Sequence, residues 1–188
     1  ADCVDLAGSA INRAVVNAGL GQMNQLRRAA WRSMARELGN DALPMDAQTL
    51  GFQVGPRINA RGRIDDPMAA LHWIMATDDA TADRYLQILS ADNQARKDIE
   101  RAMVSRCLPK ALAQKNTQRF CVVVADDEGH PGVQGIVASR LTERTGLPSV
   151  VLAPAQNPEH YVGSMRSVPS VHARQALERC SEHLIRFG

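Results

Sequence analysis

The sequence predicts an α/β protein with a helical N-terminal part, a long helix and a C-terminal part that contains β-strands. Three observations support this fold class. Apolar residues recur at helical spacing over residues 11–38, and the same spacing returns over residues 80–114. A run rich in β-branched residues at 120–125 is typical of a buried strand. Further strand-like segments follow at 148–153 and from Tyr161 onward.

The composition is that of an ordinary soluble protein. With 188 residues, 45% of them hydrophobic, the chain can bury a core and could form one large domain or two small ones. A net charge of +2 does not by itself indicate a nucleic-acid partner, but residues 11–63 hold eight arginines against three acidic residues. The four cysteines lack the spacing of a zinc site, and no apolar run suits a membrane helix. We therefore expect a cytoplasmic chain with reduced thiols and no membrane partner.

The first periodic segment predicts two helices that are separated near Gly19 and Gly21. Gly39 is predicted to close the second helix, and Asp46 to cap a short helical turn after it. Trp31 lies on an apolar helix face, which favours a place in the core over a platform for stacking.

The segment GFQVGPRINARGR, residues 51–63, carries three arginines within seven residues: Arg57, Arg61 and Arg63. Each guanidinium can grip a phosphate through two hydrogen bonds, so the cluster indicates a polymer with several phosphates. Its glycines and its proline predict a turn instead of a long helix. A surface turn with solvated arginines is the alternative. A nucleotide P-loop is excluded, because no Lys-Ser or Lys-Thr pair follows the second glycine.

The long helix, roughly Ala80–Gln114, follows a shorter one that Asp65, Asp66 and Pro67 are predicted to begin. These aspartates are interpreted as caps and not as metal ligands. The acidic triplet 126–128, after the first strand, is interpreted as a solvated turn.

Two later segments are suited to anions. From His130 to Gly146 a glycine turn opens a helix, whose free N–H groups and dipole favour negative charge. The stretch 163–167, GSMRS, offers two hydroxyls and a guanidinium to phosphate oxygens, although a polar strand end is the alternative.

Four segments together resemble RecJ-like proteins, single-strand-specific exonucleases of the DHH phosphodiesterase superfamily. GPRINARGR resembles the family's GPRLNAAGR-type motif, with Arg61 in place of a small residue. HPGVQGI resembles a WHxGVxGI motif, with Gly129 at the tryptophan position, and GSMRS resembles a GSGRS-type motif, with Met165 in place of glycine. The N-terminal ADCVDL resembles a segment whose aspartate is a metal ligand.

The resemblance implies a function and a set of site residues. Asp2 would be a catalytic ligand of Mn²⁺ or Mg²⁺ in a two-metal site, and the other ligands, in DxD and DHH motifs, would lie upstream of Ala1. Single-stranded DNA would be hydrolysed from its 5′ end in repair and recombination, and the isolated chain is expected to be inactive. The residues implied to hold DNA phosphates are Arg57, Asn59, Arg61, Arg63, His130, Gly132, Ser164, Arg166, Ser167 and His172.

The resemblance also implies a domain plan. Residues 1–78 would be the C-terminal part of a DHH domain, 79–115 an interdomain linker helix, and 116–188 an incomplete DHHA1 domain with a mixed sheet and flanking helices. The chain is expected to be monomeric, with other repair or single-strand-binding proteins as protein partners. Two alternatives remain open: a phosphodiesterase of cyclic dinucleotides or short oligonucleotides, and a non-catalytic DNA-binding scaffold.

Overall fold

The computed structural model describes residues 7–39, 43–64, 68–117, 119–157 and 159–188. The chain divides into two compact units, Ala1–Ala95 and Arg96–Gly188. Each unit has a buried core of its own. The division falls inside the long helix, and the assignment of the two units to the domains 1–78 and 116–188 stays a prediction.

The described part of the first unit is helical. Its elements, before the long helix, are α1 (Ala10–Asn24), α2 (Ala29–Leu38), a π-helix (Thr49–Val54), α3 (Gly55–Ile64) and α4 (Met68–Met75).

The break between the first two helices lies later than the sequence predicts. Gly19 and Gly21 are inside α1, and the chain turns at Leu26, whose φ is 52°. Arg32 donates to the carbonyls of Leu26 and Arg27 at 3.1 and 2.7 Å. These hydrogen bonds satisfy carbonyl groups in the break between the two helices. Gly19 and Gly21 do not interrupt α1, because an isolated glycine costs a helix only about 1 kcal/mol.

Other predicted boundaries of this unit are confirmed. Gly39 ends α2 with a φ of 81°. Asp46 accepts the backbone N–H of Thr49 at 2.7 Å, as its role as a cap requires. The aspartates 65 and 66 lie outside the described residues.

The core of the first unit is centred on Trp73, which is fully buried. Its indole N–H donates to the buried Ser33 hydroxyl at 3.0 Å. Trp31 meets Trp73 edge to face, with 5.4 Å between the ring centroids. The prediction that Trp31 packs in the core is therefore confirmed.

The long helix α5 runs from Asp79 to Lys115, close to the predicted bounds. Leu86 and Leu89 are buried in the core of the first unit. Met103 and Cys107 are buried in the core of the second unit, and burial raises the pKa of the Cys107 thiol to about 11.

The second unit contains a three-stranded mixed sheet, as predicted. Strands β1 (Val122–Ala125) and β2 (Ser149–Pro154) are parallel, and β3 (Tyr161–Arg166) is antiparallel to β2. The sheet order is β1-β2-β3. Helix α6 (Gln134–Thr145) connects β1 to β2, and the short α7 (Ala173–Glu178) follows β3. Phe120 was predicted to begin the first strand, but it lies outside β1 and is exposed.

The acidic triplet after β1 is not simply solvated, which corrects the prediction. Asp126 is buried and accepts from the Arg106 guanidinium at 2.8–3.1 Å. Its hydrogen bond and charge raise the pKa of Arg106. The pair fixes the turn that leads from β1 to His130.

No helix in the described residues is long and apolar enough to cross a membrane.

Candidate nucleic-acid interface

The arginine-rich segment is helical, which corrects the predicted turn. Pro56 lies inside a continuous helical segment, because α3 follows the π-helix without a break. A proline inside an α-helix normally lacks a hydrogen bond and clashes with the carbonyl four residues before it. The π-helix that precedes α3 widens the turn before the proline, and such π turns are frequent at functional sites. Gly55 suits this junction, since a Cβ there would lie 3.0 Å from the Leu50 carbonyl oxygen.

Arg57 is held inside the first unit by four hydrogen bonds. Nε donates to the Ser90 hydroxyl at 3.1 Å, and Nη1 donates to the carbonyl and side-chain oxygens of Gln53 at 2.8 and 3.2 Å. Nη2 reaches Glu37 at 3.5 Å, and Ser90 donates to the same carboxylate at 2.9 Å. Only 15% of the Arg57 side chain is exposed. Arg57 therefore joins α2, α3 and α5, and one Nη2 hydrogen has no acceptor among the described residues.

Arg61 is likewise paired within the unit. It donates to Asp92 at 3.0 Å, and both side chains are about one-fifth exposed, at 21% and 18%. Asn59 lies on the same helix and is exposed. The backbone of Arg63 belongs to α3, but its side chain lies outside the described part.

The predicted metal ligand, Asp2, lies outside the described residues. Within the described ranges, no group of three or more His, Cys, Asp or Glu side chains could hold a metal ion. The described donor set thus does not fit a metal centre by itself.

His130 opens the helical segment of the second unit, as the sequence predicts. Its Nδ1 accepts the backbone N–H of Gly132 at 3.0 Å, which caps the 3₁₀ turn Pro131–Val133 before α6. A ring nitrogen that accepts carries no proton, so Nε2 is the nitrogen of His130 that can donate. The Gly132 N–H is engaged by this bond, whereas the Nε2 side of the ring is a hydrogen-bond donor.

Gly129, at the position where the resembling motif has tryptophan, is closely packed. A Cβ there would lie 2.7 Å from the Asp126 carbonyl oxygen and 2.8 Å from the terminal methyl of Met103. The turn before His130 therefore has no space for a side chain at this position.

Ser164 and Arg166 meet at the start of α6. A Cβ placed on Gly135 would lie 2.9 Å from Arg166 Nη2 and 3.6 Å from Ser164 Oγ. Arg166 is exposed, and its Nη1 donates to the Met165 carbonyl at 3.1 Å. No carboxylate of the described residues forms an ion pair with it. The guanidinium is therefore open to an external anion, with a hydroxyl nearby.

Ser167 and His172 have structural partners. The Ser167 hydroxyl donates to the Val171 carbonyl at 2.7 Å. His172 caps α7 by accepting the Gln175 N–H at 3.4 Å. Both side chains stabilise the segment after β3, and a phosphate contact from either stays a prediction.

The structure thus groups the predicted site residues into two sets, one on α3 and one around the start of α6. Sequence reasoning missed the neighbours of these residues: Glu37, Ser90 and Asp92 around the arginines of α3, and Gly135 beside Ser164 and Arg166. Gly135 had a signal, since it belongs to the HPGVQGI segment. The acidic and hydroxyl partners had none, because each is 20 or more positions away from its arginine.

No model of a known protein family matches the chain. Curated relatives do match it. The single-stranded-DNA-specific exonuclease RecJ of Thermus thermophilus is 32% identical over 94% of the chain and 25% of the relative. The protein of the same name from Salmonella typhimurium is 33% identical over the whole chain and 33% of the relative. The chain therefore spans about a quarter to a third of these relatives.

Solved structures agree with the curated relatives. A crystal structure of RecJ with Mn²⁺ from Thermus thermophilus matches with a TM-score of 0.81 and 33% identity, over 94% of the chain and 25% of that structure. A manganese-bound exonuclease RecJ matches with a TM-score of 0.77 and 33% identity, over 94% of the chain and 43% of that structure. The predicted resemblance is confirmed: the chain matches a segment of RecJ in sequence and in fold.

Proposed function

Since this chain matches RecJ over nearly its whole length, we propose that it is the DNA-holding part of a metal-dependent exonuclease specific for single-stranded DNA. The whole protein would hydrolyse phosphodiester bonds from the 5′ end and release mononucleotides. The domain plan predicted from the sequence, with a linker at 79–115, belongs to the same proposal.

The open guanidinium of Arg166 carries this proposal. It lies near the Ser164 hydroxyl, without a carboxylate partner in the described residues, at the start of a helix whose dipole favours an anion. A guanidinium and a hydroxyl are both donors to phosphate oxygens, and phosphate contacts carry no sequence information. We infer that these two side chains hold the DNA backbone and that binding is independent of sequence.

The remaining contacts have unequal support. His130 can donate through Nε2, whereas the Gly132 N–H is already engaged by Nδ1. Arg57 has one Nη2 hydrogen without an acceptor in the described residues, and Asn59 is exposed on the same helix. Arg61 would have to exchange Asp92 for a phosphate. Arg63, Ser167 and His172 are proposed on the resemblance alone.

Metal dependence is proposed from two observations. Asp2 matches the family's metal-binding aspartate in sequence, and matching RecJ structures contain Mg²⁺ or Mn²⁺. Because Asp2 is the only metal ligand that the resemblance assigns to this chain, we expect the chain to bind DNA without cutting it.

The same proposal makes the chain cytoplasmic and monomeric, with other repair or single-strand-binding proteins as candidate partners. The scattered cysteines support the first point. The exonuclease is preferred over a cyclic-dinucleotide phosphodiesterase or an inert scaffold because the matching relatives bear the exonuclease name.

The test measures binding of a fluorescent oligothymidylate to the purified chain over a range of salt concentrations. Arg166→Ala should weaken binding about tenfold or more and lower the salt slope by about 0.7, the value for one phosphate contact on a single strand. Arg174→Ala is the matched control, because Arg174 is exposed and paired with Glu178. An Arg166→Ala chain that binds like the unsubstituted chain would remove the proposed site.

Activity is tested separately with Mn²⁺ and single strands labelled at the 3′ end. Progressive shortening by a protein that also carries the upstream motifs would support the exonuclease. Binding without cleavage by that protein would favour the scaffold instead. Nucleotide release by the 188-residue chain alone would overturn the expectation that it is inactive.

A further inference from the structure

The backbone that carries Ser164 and Arg166 is fixed against α6 near both ends of β3. The buried side chain of Gln134 donates to the Val162 carbonyl at 2.7 Å. At the other end, the Thr142 hydroxyl approaches the Arg166 carbonyl at 3.4 Å. Because β3 also pairs with β2 along its length, the Cα atoms of Ser164 and Arg166 have little freedom to move.

The freedom that remains is in the Arg166 side chain, whose guanidinium occupies the space beside Gly135. A Cβ at Gly135 would lie 2.9 Å from Nη2 and 3.5 Å from Cζ of Arg166. The guanidinium thus lies directly against the bare Cα of Gly135. Any side chain at this position has to displace the guanidinium, since contacts below 3.0 Å are essentially absent between real Cβ atoms and their neighbours.

Displacement would separate the two donors. Ser164 Oγ lies 3.6 Å from the same Cβ position, so Gly135 is the point at which the hydroxyl and the guanidinium converge. With the guanidinium shifted, both donors remain, but they no longer have the arrangement that the bare Cα of Gly135 allows. Preorganised donors bind more tightly because less side-chain freedom is lost on binding.

We propose that Gly135 is a positioning residue for DNA phosphate: its lack of a side chain seats the Arg166 guanidinium beside the Ser164 hydroxyl so that both bind one phosphate group. This inference rests on the proposed function. Gly135 would act without touching the substrate, and its effect would depend on the guanidinium of Arg166, whose Nη2 and Cζ atoms lie against it.

The test compares Gly135→Ala with Gly21→Ala in the binding assay with labelled oligothymidylate. Gly21 is the matched control because it is also inside a helix and a Cβ there meets no atom within 4 Å. Gly135→Ala should weaken binding about two- to tenfold, because the guanidinium is shifted and not removed. It should lower the salt slope by less than Arg166→Ala does, because the charge is kept. Gly21→Ala should leave both values unchanged.

A second comparison separates positioning from a general structural role. In an Arg166→Lys background, the Cζ and Nη2 atoms that meet the added Cβ are absent, so Gly135→Ala should cost no further affinity. A Gly135→Ala chain that also loses affinity in this background would overturn the inference, as would one that fails to fold, because only a flexible side-chain end has to move.

The outcomes distinguish the inference from the function it rests on. If Arg166→Ala loses affinity and Gly135→Ala does not, the role of Gly135 is wrong and the phosphate site stands. If neither substitution changes binding, the phosphate site itself is wrong.

Discussion

Two arginines of this protein occupy opposite environments. Arg57, in the first unit, is 15% exposed and uses four hydrogen bonds to hold helices together. Arg166, in the second unit, is exposed and donates within the described residues only to its neighbour's carbonyl. Both belong to segments that resemble DNA-binding motifs. The difference teaches that a motif arginine can stabilise the fold, bind the ligand or do both, depending on which acceptors surround it.

The largest expected effect in this comparison is on stability. Arg57→Ala should lower the free energy of unfolding by about 2–3 kcal/mol, because hydrogen bonds to charged groups contribute about 1.5–3 kcal/mol each and are not additive. Arg166→Ala should change it by less than about 0.5 kcal/mol, as is usual for an exposed position. Urea unfolding followed by tryptophan fluorescence measures the first value selectively, since Trp31 and Trp73 both belong to the first unit.

Asn59→Ala provides the control for the first substitution, because Asn59 is exposed on the same helix. Far-ultraviolet circular dichroism reports on Arg166→Ala, whose unit contains neither tryptophan. Equal losses of stability for Arg57→Ala and Arg166→Ala would erase the distinction between the two arginines.

A smaller effect on stability is expected at Arg61. It tests whether one ion pair is enough to make an arginine stabilise the fold, as Arg57 does. A double-mutant cycle of Arg61→Ala and Asp92→Ala should give a coupling energy of about 1 kcal/mol, since the pair is neither buried nor fully exposed. A coupling near zero would mean that the ion pair with Asp92 does not hold Arg61 in place.

Most of the fold could be predicted from the sequence, because its helices and strands follow local patterns of residues. The apolar spacing of α5 and the β-branched run of β1 are visible without tertiary information. The prediction of a turn at the arginine-rich segment was wrong for a specific reason. Gly55 and Pro56 usually end helices, but here the helix runs through both residues, with a π turn directly before them.

The site was predicted by residue type but not by environment. Ser164 and Arg166 were named, and the structure brings them together. Glu37 and Asp92, which decide what Arg57 and Arg61 can do, lie 20 and 31 positions away from them. Such partners depend on helix packing, which no local pattern encodes.

The smallest effect is expected from acid, and it again concerns arginines that hold the first unit. Hydrogen bonds from Arg32 lower the pKa of Asp79 below its usual range, and Arg36 adds to the shift. A carboxyl group with a depressed folded pKa contributes stability above its unfolded pKa and loses it as the pH falls through the folded value. Asp79→Asn should therefore be less stable than the unsubstituted chain at pH 7.

The stability difference between the two chains should shrink as the pH falls below about 4, the unfolded pKa of aspartate, because Asp79 is protonated first in the unfolded state. The electrostatic contribution is lost once the pH is also below the lower folded pKa. Urea unfolding followed by tryptophan fluorescence across this range measures the difference. Glu143→Gln, an exposed substitution in the second unit, is the control and is followed by far-ultraviolet circular dichroism, because both tryptophans belong to the first unit. A difference that persists unchanged at low pH would show that Asp79 acts through packing and not through its charge. In that case Arg32 and Arg36 would no longer count among the arginines whose role is set by a carboxylate.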